Sequence, residues 1–471
     1  MNSRPRASAV RLANHFCIHM RITRSIEFLQ SETERFHFND RPIVGWDQRL
    51  ISRVGPPFSI PPMVGWRSHC SLVPPYSLQI MHCEHFQSQR CRSCSLLDNT
   101  YETTLQHKQD VLTQLFPGTR ILPFVPCQAV AASRIRAKLA VTGTLDDPRI
   151  GFFDDQQAIV AVNDCPLHHA LINEFTQRLP SIIRETRLMP YDMQTDRGEL
   201  KYVVLTCSPT EQQLMVQFVL RSREAVDRVR SLWRRMTDSG TQSIAVMSVN
   251  VQPVRSSTIT GTEEIPISES MNLPIRFGDT ELLFGPQSFL QTNFEIATAL
   301  YAAAARVLQE HAAVHVLDLY CGAGAFSLTA CAHAQSVTGI DISSNAIACA
   351  DAAARRNVRH NAQFLCRRLD QFTVGELTSH NFDTIICNPP RRGLDTASVA
   401  LIQTLKPRLL LYSSCNPATL QRDVQLLADD YDIEQLQPFD MFPFTDHFEV
   451  LALLSAGVSD VLWTLSPAAC R

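Results

Sequence analysis

The stretch VHVLDLYCGAGAFSLTACAHA, residues 314–334, determines the fold class. A strand that ends at Asp318-Leu319 leads into a turn, Gly322-Ala323-Gly324, which opens a helix. Glycine in such a turn lets the backbone approach a ligand closely, and the helix N-terminus favours polar or anionic groups. The segment therefore predicts a nucleotide-binding turn at the carboxyl edge of an open α/β sheet.

Two later strands lead to the same edge. SVTGIDIS (336–343) ends in Asp341, whose carboxylate can accept both hydroxyls of a ribose. FDTIICNPPRRG (382–393) places an Asn-Pro-Pro turn, starting at Asn388, where ligands of open α/β sheets bind. This set would serve NAD or S-adenosylmethionine. Because Ser327 stands where the dinucleotide pattern has its third glycine, we expect S-adenosylmethionine.

The Asn-Pro-Pro turn does not by itself identify which atom of a substrate would be methylated. Its usual alternative use is to present the amino group of adenine or cytosine, often beside an aromatic residue, but Arg391 occupies that place. RLLLYSSCNPATLQRDV (408–424) then ends its strand at Cys415, with Asn416 as N-cap and Pro417 in the first helical turn. A thiol at a helix N-terminus has a lowered pKa and is a credible nucleophile.

A single carboxylate completes this candidate catalytic pair. DMFPFTDHFEVLALL (440–454) places Glu449 in an apolar closing strand, an unfavourable position for a charge without a chemical role. We expect Cys415 and Glu449 to act together, the alternative being a core cysteine and an outward-facing strand residue.

Four cysteines near the start of the informative sequence have the spacing of a metal site. MHCEHFQSQRCRSC (81–94) contains Cys83, Cys91 and Cys94 in a C-x7-C-x2-C pattern, and Cys165 follows in NDCPLHH. Zinc and a [4Fe-4S] cluster both accept four thiolates, but one C-x2-C pair with two single cysteines favours iron-sulfur. The alternative for these four is scattered structural cysteines, but Arg90, Arg92 and Ser93 make the segment a polar loop in which buried cysteines would be out of place. Other cysteines lie in apolar runs and are expected to be buried: Cys331, Cys349, Cys366 and Cys387.

The region after the cysteines is rich in predicted strands. RIRAKLAV (134–141) alternates Arg134, Arg136 and Lys138 with apolar residues, so that a strand would carry three cations on one face. Such a face is either a track for RNA phosphates or an ordinary solvated face. Further strands are predicted at 201–207, 213–221 and 244–253, giving an α+β domain over residues 81–285.

Composition limits the classes of protein that remain. The chain has 471 residues, 45% apolar and 19% charged, which excludes disordered, collagenous and repeat proteins. Its net charge of -3 means that any nucleic acid must be bound by a local basic patch. Fifteen cysteines, an odd number, argue against a complete disulfide framework. No apolar run approaches the roughly 18 residues that span a bilayer.

The first eighty residues differ from the rest. They contain ten Arg, no Lys and three Pro-Pro doublets, without a sustained helical or strand period. We expect residues 1–80 to be a disordered extension or a mis-assigned start, with the functional protein beginning at Met81. A domain of 286–458 and a tail of 459–471 complete the predicted organisation.

Taken together, these motifs resemble the RNA uracil-C5 methyltransferase family over residues 81 to about 455. RGELKY (197–202) and QSFLQTN (287–293) resemble the branch that acts on 23S rRNA. The resemblance implies a [4Fe-4S] cluster on the four cysteines. It also implies S-adenosylmethionine contacts from Gln291, Tyr320, Asp341 and Asn388, in addition to the turn glycines Gly322 and Gly324. The family often has Phe and Glu where this chain has Tyr320 and Asp341.

The fold implied is a Rossmann-like S-adenosylmethionine-dependent methyltransferase domain preceded by an α+β iron-sulfur and RNA-binding domain. The function implied is methyl transfer to C5 of a uridine in 23S rRNA, with Cys415 adding to C6 and Glu449 removing the C5 proton. Methylation of a tRNA or another rRNA uridine, methylation of an amino group, and RNA binding without turnover are the alternatives. We expect a cytoplasmic monomer with no membrane association.

Overall fold

The computed structural model describes residues 81–457, apart from 155–157, 241–242, 257, 373 and 379. The proposed extension 1–80 and the tail 459–471 lie outside the described residues. Within those residues, no helix is both long enough and apolar enough to cross a membrane.

The helices of the described residues are numbered α1 to α10 in chain order. Their bounds are α1 Glu84–Gln87, α2 Tyr101–Leu115, α3 Ala170–Thr186, α4 Val226–Asp238, α5 Phe294–Glu310, α6 Ala325–Ala330, α7 Ser344–Arg356, α8 Val374–Thr378, α9 Thr396–Leu405 and α10 Pro417–Leu426. A short 3-10 helix spans Leu369–Gln371.

The strands are numbered β1 to β16 in the same way. Their bounds are β1 Arg136–Gly143, β2 Pro148–Phe153, β3 Ile159–Ala161, β4 Leu200–Ser208, β5 Gln213–Leu220, β6 Ile244–Val251, β7 Glu263–Pro266, β8 Leu273–Phe277, β9 Thr280–Phe284, β10 His315–Leu319, β11 Ser336–Asp341, β12 Ala362–Cys366, β13 Thr384–Cys387, β14 Leu409–Ser414, β15 Tyr431–Phe439 and β16 Glu449–Ala456.

The first sheet is built from the strands between residues 136 and 266. Its order is β3-β2-β1-β4-β5-β6-β7, antiparallel except for the pair β5-β6. The three strands predicted after the cysteines are confirmed as β4, β5 and β6. They form the centre of the sheet and are almost wholly buried because helices α3 and α4 pack on them through their apolar stripes.

The second sheet contains the strand that precedes the glycine turn. Its order is β12-β11-β10-β13-β14-β16-β15. Strands β10 to β14 are parallel to one another, whereas β16 is antiparallel to both of its neighbours, β14 and β15. The chain runs outward from β10 in one direction through β11 and β12, and in the other through β13 and β14. Ligands of open α/β sheets bind at such a reversal, outside the carboxyl ends of the strands.

Helix α2 and the segment after it pack against the second sheet. Residues 121 and 125 form parallel bridges with Leu436 and Phe439 of the outermost strand, β15. Leu112 and Phe116 join the apolar core around β13, β14 and β16. Residues 101–125 therefore cover the edge of this sheet, a placement that the division at residue 285 did not anticipate.

The three cations of segment 134–141 do not form a continuous exposed track. Arg136 is half-buried and donates to the carbonyl oxygens of Ser288 (2.5 Å) and Pro286 (3.0 Å). Arg134 is half-buried, and Lys138 alone of the three is exposed. The phosphate-track interpretation is wrong for Arg136, because the segment that leads into α5 covers this face of β1.

The cysteines in apolar runs are buried with one exception. Cys331, Cys349 and Cys387 lie in the core, as expected, whereas Cys366 is exposed. Cys366 is the last residue of β12, which forms the edge of the second sheet, so no further strand covers it.

Candidate active site

A cavity of about 680 Å³ opens at the carboxyl ends of the parallel strands. This volume suits a nucleotide-sized ligand together with part of a second one. It brings together seven of the residues singled out in the sequence: Gln291, Tyr320, Gly322, Asp341, Asn388, Cys415 and Glu449. They come from six separate stretches of the chain, and the reversal of strand order in the sheet collects them.

The glycine turn is held to the neighbouring strand through Asp341. The carboxylate accepts hydrogen bonds from the backbone N–H of Gly322 (3.0 Å) and of Ser343 (2.8 Å). Tyr320, just before the turn, has a φ of +61°, an unusual conformation for a residue with a bulky side chain. Its hydroxyl group lies 2.5 Å from Ser398 Oγ. Strained backbone of this kind persists where the surrounding structure fixes it, as at binding sites.

Gly324 does not line the cavity. Its φ is +82°, and an added Cβ would lie 3.1 Å from the Cβ of Ala350 and 3.2 Å from the ring of Phe364. The absence of a side chain at Gly324 permits close packing of the turn against helix α7 and strand β12, which contain Ala350 and Phe364. This packing role is separate from the predicted contact between Gly324 and the cofactor, which stays a prediction.

The Asn-Pro-Pro-Arg loop is anchored on a buried carboxylate in α10. Asp423 accepts hydrogen bonds from the Leu394 backbone N–H (2.7 Å) and the Tyr412 hydroxyl (2.6 Å). Gly393, with a φ of +83°, passes so close to Asp423 that any side chain would overlap the carboxylate. These contacts fix the loop that presents Asn388 and Arg391 to the cavity.

Cys415 lies at the end of β14, immediately before α10. Asn416 is the N-cap, with its side chain accepting from the Ala418 backbone N–H, and Pro417 opens the helix, both as predicted. The expected lowering of the thiol pKa is wrong: burial raises the pKa of Cys415, and the charge of Glu449 raises it further. The Arg391 guanidinium opposes this increase but does not outweigh the loss of hydration.

Glu449 is the first residue of β16 and is 1% exposed. One carboxyl oxygen, Oε1, accepts a hydrogen bond of 2.6 Å from Ser413 Oγ. Burial raises the pKa of Glu449 to about 7, while the hydrogen bonds offered by Ser413 and Gln291 lower it. A carboxyl group with this pKa can take up and release a proton near neutral pH.

Sequence reasoning missed two large apolar side chains in the cavity wall. Phe289 is 67% exposed and Ile342 is 72% exposed, although both border the cavity. Exposed apolar surface at a concave site is typical of a ligand contact. Their positions in the sequence could have revealed them, since Ile342 directly follows Asp341 and Phe289 lies in the segment QSFLQTN, which also contains Gln291.

The four predicted metal-binding cysteines are half-buried and lie close together. Burial raises the pKa of Cys94 to about 12, nearby Arg134 lowers it, and charge on each of the three other cysteines raises it further. Within the described residues, however, no group of three or more His, Cys, Asp or Glu side chains is arranged around a single ion position. The thiols are therefore neighbours without converging on one point.

The cysteine segment is tied to the loop that precedes Glu449. The Leu96 backbone N–H donates to the Phe444 carbonyl (3.0 Å), and Ser95 Oγ donates to Asp446 (2.7 Å). The loop, residues 440–448, also contains Phe442, which lines the cavity. The cysteine segment and the cavity wall thus share a structural element.

Comparison with known proteins identifies the family. The model of the tRNA (uracil-5-)-methyltransferase family matches residues 100–457, which include the cavity and both ends of the second sheet. The chain belongs to this family. The resemblance seen in the sequence motifs is thereby confirmed, and the fold is that of an S-adenosylmethionine-dependent methyltransferase with a Rossmann-like sheet.

Relatives within the uracil-5-methyltransferase family cover most of the chain. It is 37% identical to the 23S rRNA (uracil(747)-C(5))-methyltransferase RlmC of Yersinia pseudotuberculosis over 80% of its length and 99% of that protein. RlmC of Yersinia pestis is 36% identical over the same shares. Among solved structures, the Pyrococcus abyssi tRNA (uracil-54, C5)-methyltransferase in complex with S-adenosyl-L-homocysteine is 28% identical, with a TM-score of 0.64. That match covers 77% of this chain and 85% of the other.

Proposed function

We propose that this protein transfers a methyl group from S-adenosylmethionine to C5 of a uridine in 23S rRNA through a covalent adduct with Cys415. The observation that carries the proposal is the presence of Cys415, Glu449 and the Asp341-bound glycine turn in one cavity. The two similar RlmC proteins, matched over almost their whole length, support 23S rRNA as the substrate and suggest the uridine equivalent to position 747.

The first chemical step requires a thiolate. Uracil C5 is a weak nucleophile, so addition of the Cys415 thiolate to C6 would place the negative charge on an enolate that includes C5. Because burial raises the pKa of the free thiol, the thiolate depends on the nearby Arg391 guanidinium. In the amino-methylating alternative this position is often aromatic, so Arg391 supports uracil chemistry.

S-adenosylmethionine, a substrate of the reaction, supplies the methyl group that the C5 carbanion accepts. On the protein side, Asp341 would bind the ribose, and Ile342 and Tyr320 would pack on the apolar parts of the cofactor. Gln291 and Asn388 line the same cavity as the glycine turn and Cys415, where they would orient the base and the methyl donor. These roles are proposed from position in the cavity.

The last step removes a proton. After methyl transfer, C5 is tetrahedral and carries both the methyl group and its original hydrogen. Glu449 would accept that proton, the electrons of the C5–H bond would re-form the C5–C6 double bond, and the C6–S bond would break to release the Cys415 thiolate. A pKa of about 7 suits Glu449 to this exchange.

The cysteine segment fits a [4Fe-4S] cluster better than a zinc ion. In such a cluster each thiolate binds a different iron, so four sulfur atoms can be neighbours without sharing one centre, whereas zinc requires them to converge. Cys83, Cys91, Cys94 and Cys165 would hold the cluster. The cluster would cross-link residues 83–94 to residue 165. It needs no redox role in this reaction, because none of the steps above transfers an electron.

The RNA would approach over a basic rim. Arg391 and Arg392 are exposed on the loop that precedes Cys415, and Arg367 and Arg368, which pair with Glu376 and Asp370, also line the cavity. Arginine suits phosphate contacts, and the exposed Phe289 offers a stacking surface for a base that has left its helix. A ribosomal RNA substrate would be met in the cytoplasm, and we propose that one chain contains the complete site.

Release of tritium from C5 tests this function. The full chain, purified anaerobically, is incubated with a 23S rRNA transcript labelled at uracil C5 and with S-adenosylmethionine. Tritium release that depends on S-adenosylmethionine, and is lost in Cys415→Ala, is the expected result. Release from a tRNA transcript instead would replace the rRNA assignment, and methylation that persists in Cys415→Ala would favour amino-group methylation.

A further inference from the structure

The position of Ser413 next to Glu449 follows from strand register. Strands β14 and β16 are antiparallel, and Ser413 faces Leu451 directly. Glu449 is two residues from Leu451 along β16, so Ser413 and Glu449 are diagonal neighbours on the same face of the sheet. Leu409 and Leu411 share that face with Leu451, while the intervening residues of both strands point into a separate core. The serine therefore replaces an apolar side chain at a core position.

The hydroxyl group of Ser413 is committed to the carboxyl group of Glu449. Ser413 is fully buried and does not line the cavity, whereas Glu449 does. The distance from Ser413 Oγ to Glu449 Oε1 is 2.6 Å. Among the described residues, no hydrogen bond of standard geometry reaches the other oxygen, Oε2, although the Gln291 amide lies near enough to favour the charged carboxylate.

The ionisable groups around Glu449 do not provide a counter-charge. Burial raises the pKa of the Tyr301 hydroxyl, and the charges of Glu449 and Asp318 raise it further. Burial and then the Glu449 charge likewise raise the pKa of the Cys415 thiol, and the Arg391 guanidinium lowers the pKa of that thiol. His447, two residues away, has a pKa lowered mainly by burial. Within the described chain, the groups that favour the charged carboxylate are thus the uncharged Ser413 and Gln291.

We propose that Ser413 is a positioning residue for Glu449: its hydroxyl fixes Oε1 and leaves Oε2 as the oxygen that receives the C5 proton. This inference rests on the proposed function, because it assigns a geometry to the base named there. Since Ser413 donates to Oε1 both before and after Oε2 is protonated, the carboxyl group keeps its orientation throughout the step. Removal of the hydroxyl would also leave the buried carboxylate with one hydrogen bond fewer.

A matched pair of variants separates the hydroxyl group from the shape of the residue. Ser413→Thr and Ser413→Val add the same branch, but only the threonine keeps a donor. A hydrogen bond to a charged group is worth enough to change a pKa by about one to two units. We expect Ser413→Val to raise, by that amount, the pKa seen in the pH profile of tritium release, and to slow release at pH 7 by about fivefold to fiftyfold. Ser413→Thr should retain the wild-type profile.

The covalent adduct provides a second readout. Cys415 attacks before Glu449 acts, so Ser413→Val should still form an adduct with the rRNA that survives denaturation, and this adduct should accumulate because its resolution is slow. The KM values for rRNA and S-adenosylmethionine should stay within about twofold of wild type. Ser413→Ala, which adds no atoms to the core, should give the same alkaline shift and serves if the branched residues prevent folding.

Three outcomes decide between the inference and the function on which it rests. A shared pH profile for Ser413→Val, Ser413→Ala and Ser413→Thr, together with a Glu449→Gln variant that has lost tritium release, would overturn the role of Ser413 and leave Glu449 as the base. Wild-type release in Glu449→Gln would overturn the base assignment and the inference together. An alkaline shift confined to the variants without a hydroxyl group supports both.

Discussion

Lys108 of helix α2 and Asp440, directly after strand β15, form an ion pair in which both side chains are completely buried. The Tyr101 hydroxyl also donates to Asp440 (2.6 Å), and Lys108 Nζ donates to the Phe442 carbonyl (3.0 Å). This pair holds the start of the loop 440–448, which contains Phe442 of the cavity wall and leads into Glu449. Residues far apart in sequence thereby set the position of the proposed base.

Loss of one partner of this pair should be strongly destabilising. In Lys108→Met, Asp440 would remain buried without its cation, and such changes cost about 3 to 5 kcal/mol. Urea unfolding of the variant measures the loss. The pair of exposed Lys406 and half-buried Asp430 is a matched control, and Lys406→Met should cost less than about 1 kcal/mol. Equal losses in the two variants would contradict a special role for the buried pair.

Glu449→Gln should stabilise the protein at alkaline pH. Burial raises the pKa of Glu449 from 4.5 to about 7, so between these values the folded protein binds more protons than the unfolded chain. The stability of the wild type must therefore fall as pH rises through this window. Glutamine does not titrate, so the variant should be more stable at pH 8 by up to about 3 kcal/mol, and the difference should vanish near pH 4.

Thermal unfolding at pH 4, 6 and 8 measures this effect. The exposed Glu434→Gln, on the neighbouring strand β15, controls for the substitution itself and should change stability by less than about 0.5 kcal/mol at each pH. A Glu449→Gln variant less stable than wild type at pH 8 would contradict this expectation. It would show that the contacts of the carboxylate stabilise the folded protein by more than its loss of hydration destabilises it.

Arg391→Met should slow formation of the covalent adduct. The guanidinium lowers the pKa of the Cys415 thiol, so its removal leaves less thiolate at neutral pH. We expect roughly a tenfold slower adduct at pH 7, with recovery as the pH is raised. Arg391→Lys, which keeps the charge, should lie between the variant and wild type. The rate is read from protein–RNA adduct on denaturing gels, and a deficit that persists equally at all pH values would point to RNA binding instead.

The cysteine segment should bind iron and sulfide. Anaerobically purified protein should contain iron and acid-labile sulfide in equal amounts, and Cys94→Ser should lose most of both. Cys366→Ser is the matched control, since Cys366 is exposed and belongs to a different part of the fold. Zinc in place of iron, or iron content unchanged in Cys94→Ser, would overturn the cluster proposal.

The sequence was most informative where a residue type has a single structural use. The glycine turn and the N-cap Asn416 with Pro417 follow from local rules and lie where they were predicted. Properties that depend on burial were predicted less well. The thiol of Cys415 has a raised pKa because distant residues bury it, and Arg136 is covered by a segment 150 residues later in the chain.

Short sequence motifs were enough to predict the family and the order of strands and helices around the glycine turn. They also identified the residue types that are able to perform the chemistry. The tertiary structure alone decided which of them meet. The strand reversal gathers residues 291 to 449 in one cavity, the register of β14 against β16 joins Ser413 to Glu449, and helix α2 reaches the second sheet through Lys108. Contacts between distant segments arise from packing, which local sequence does not encode.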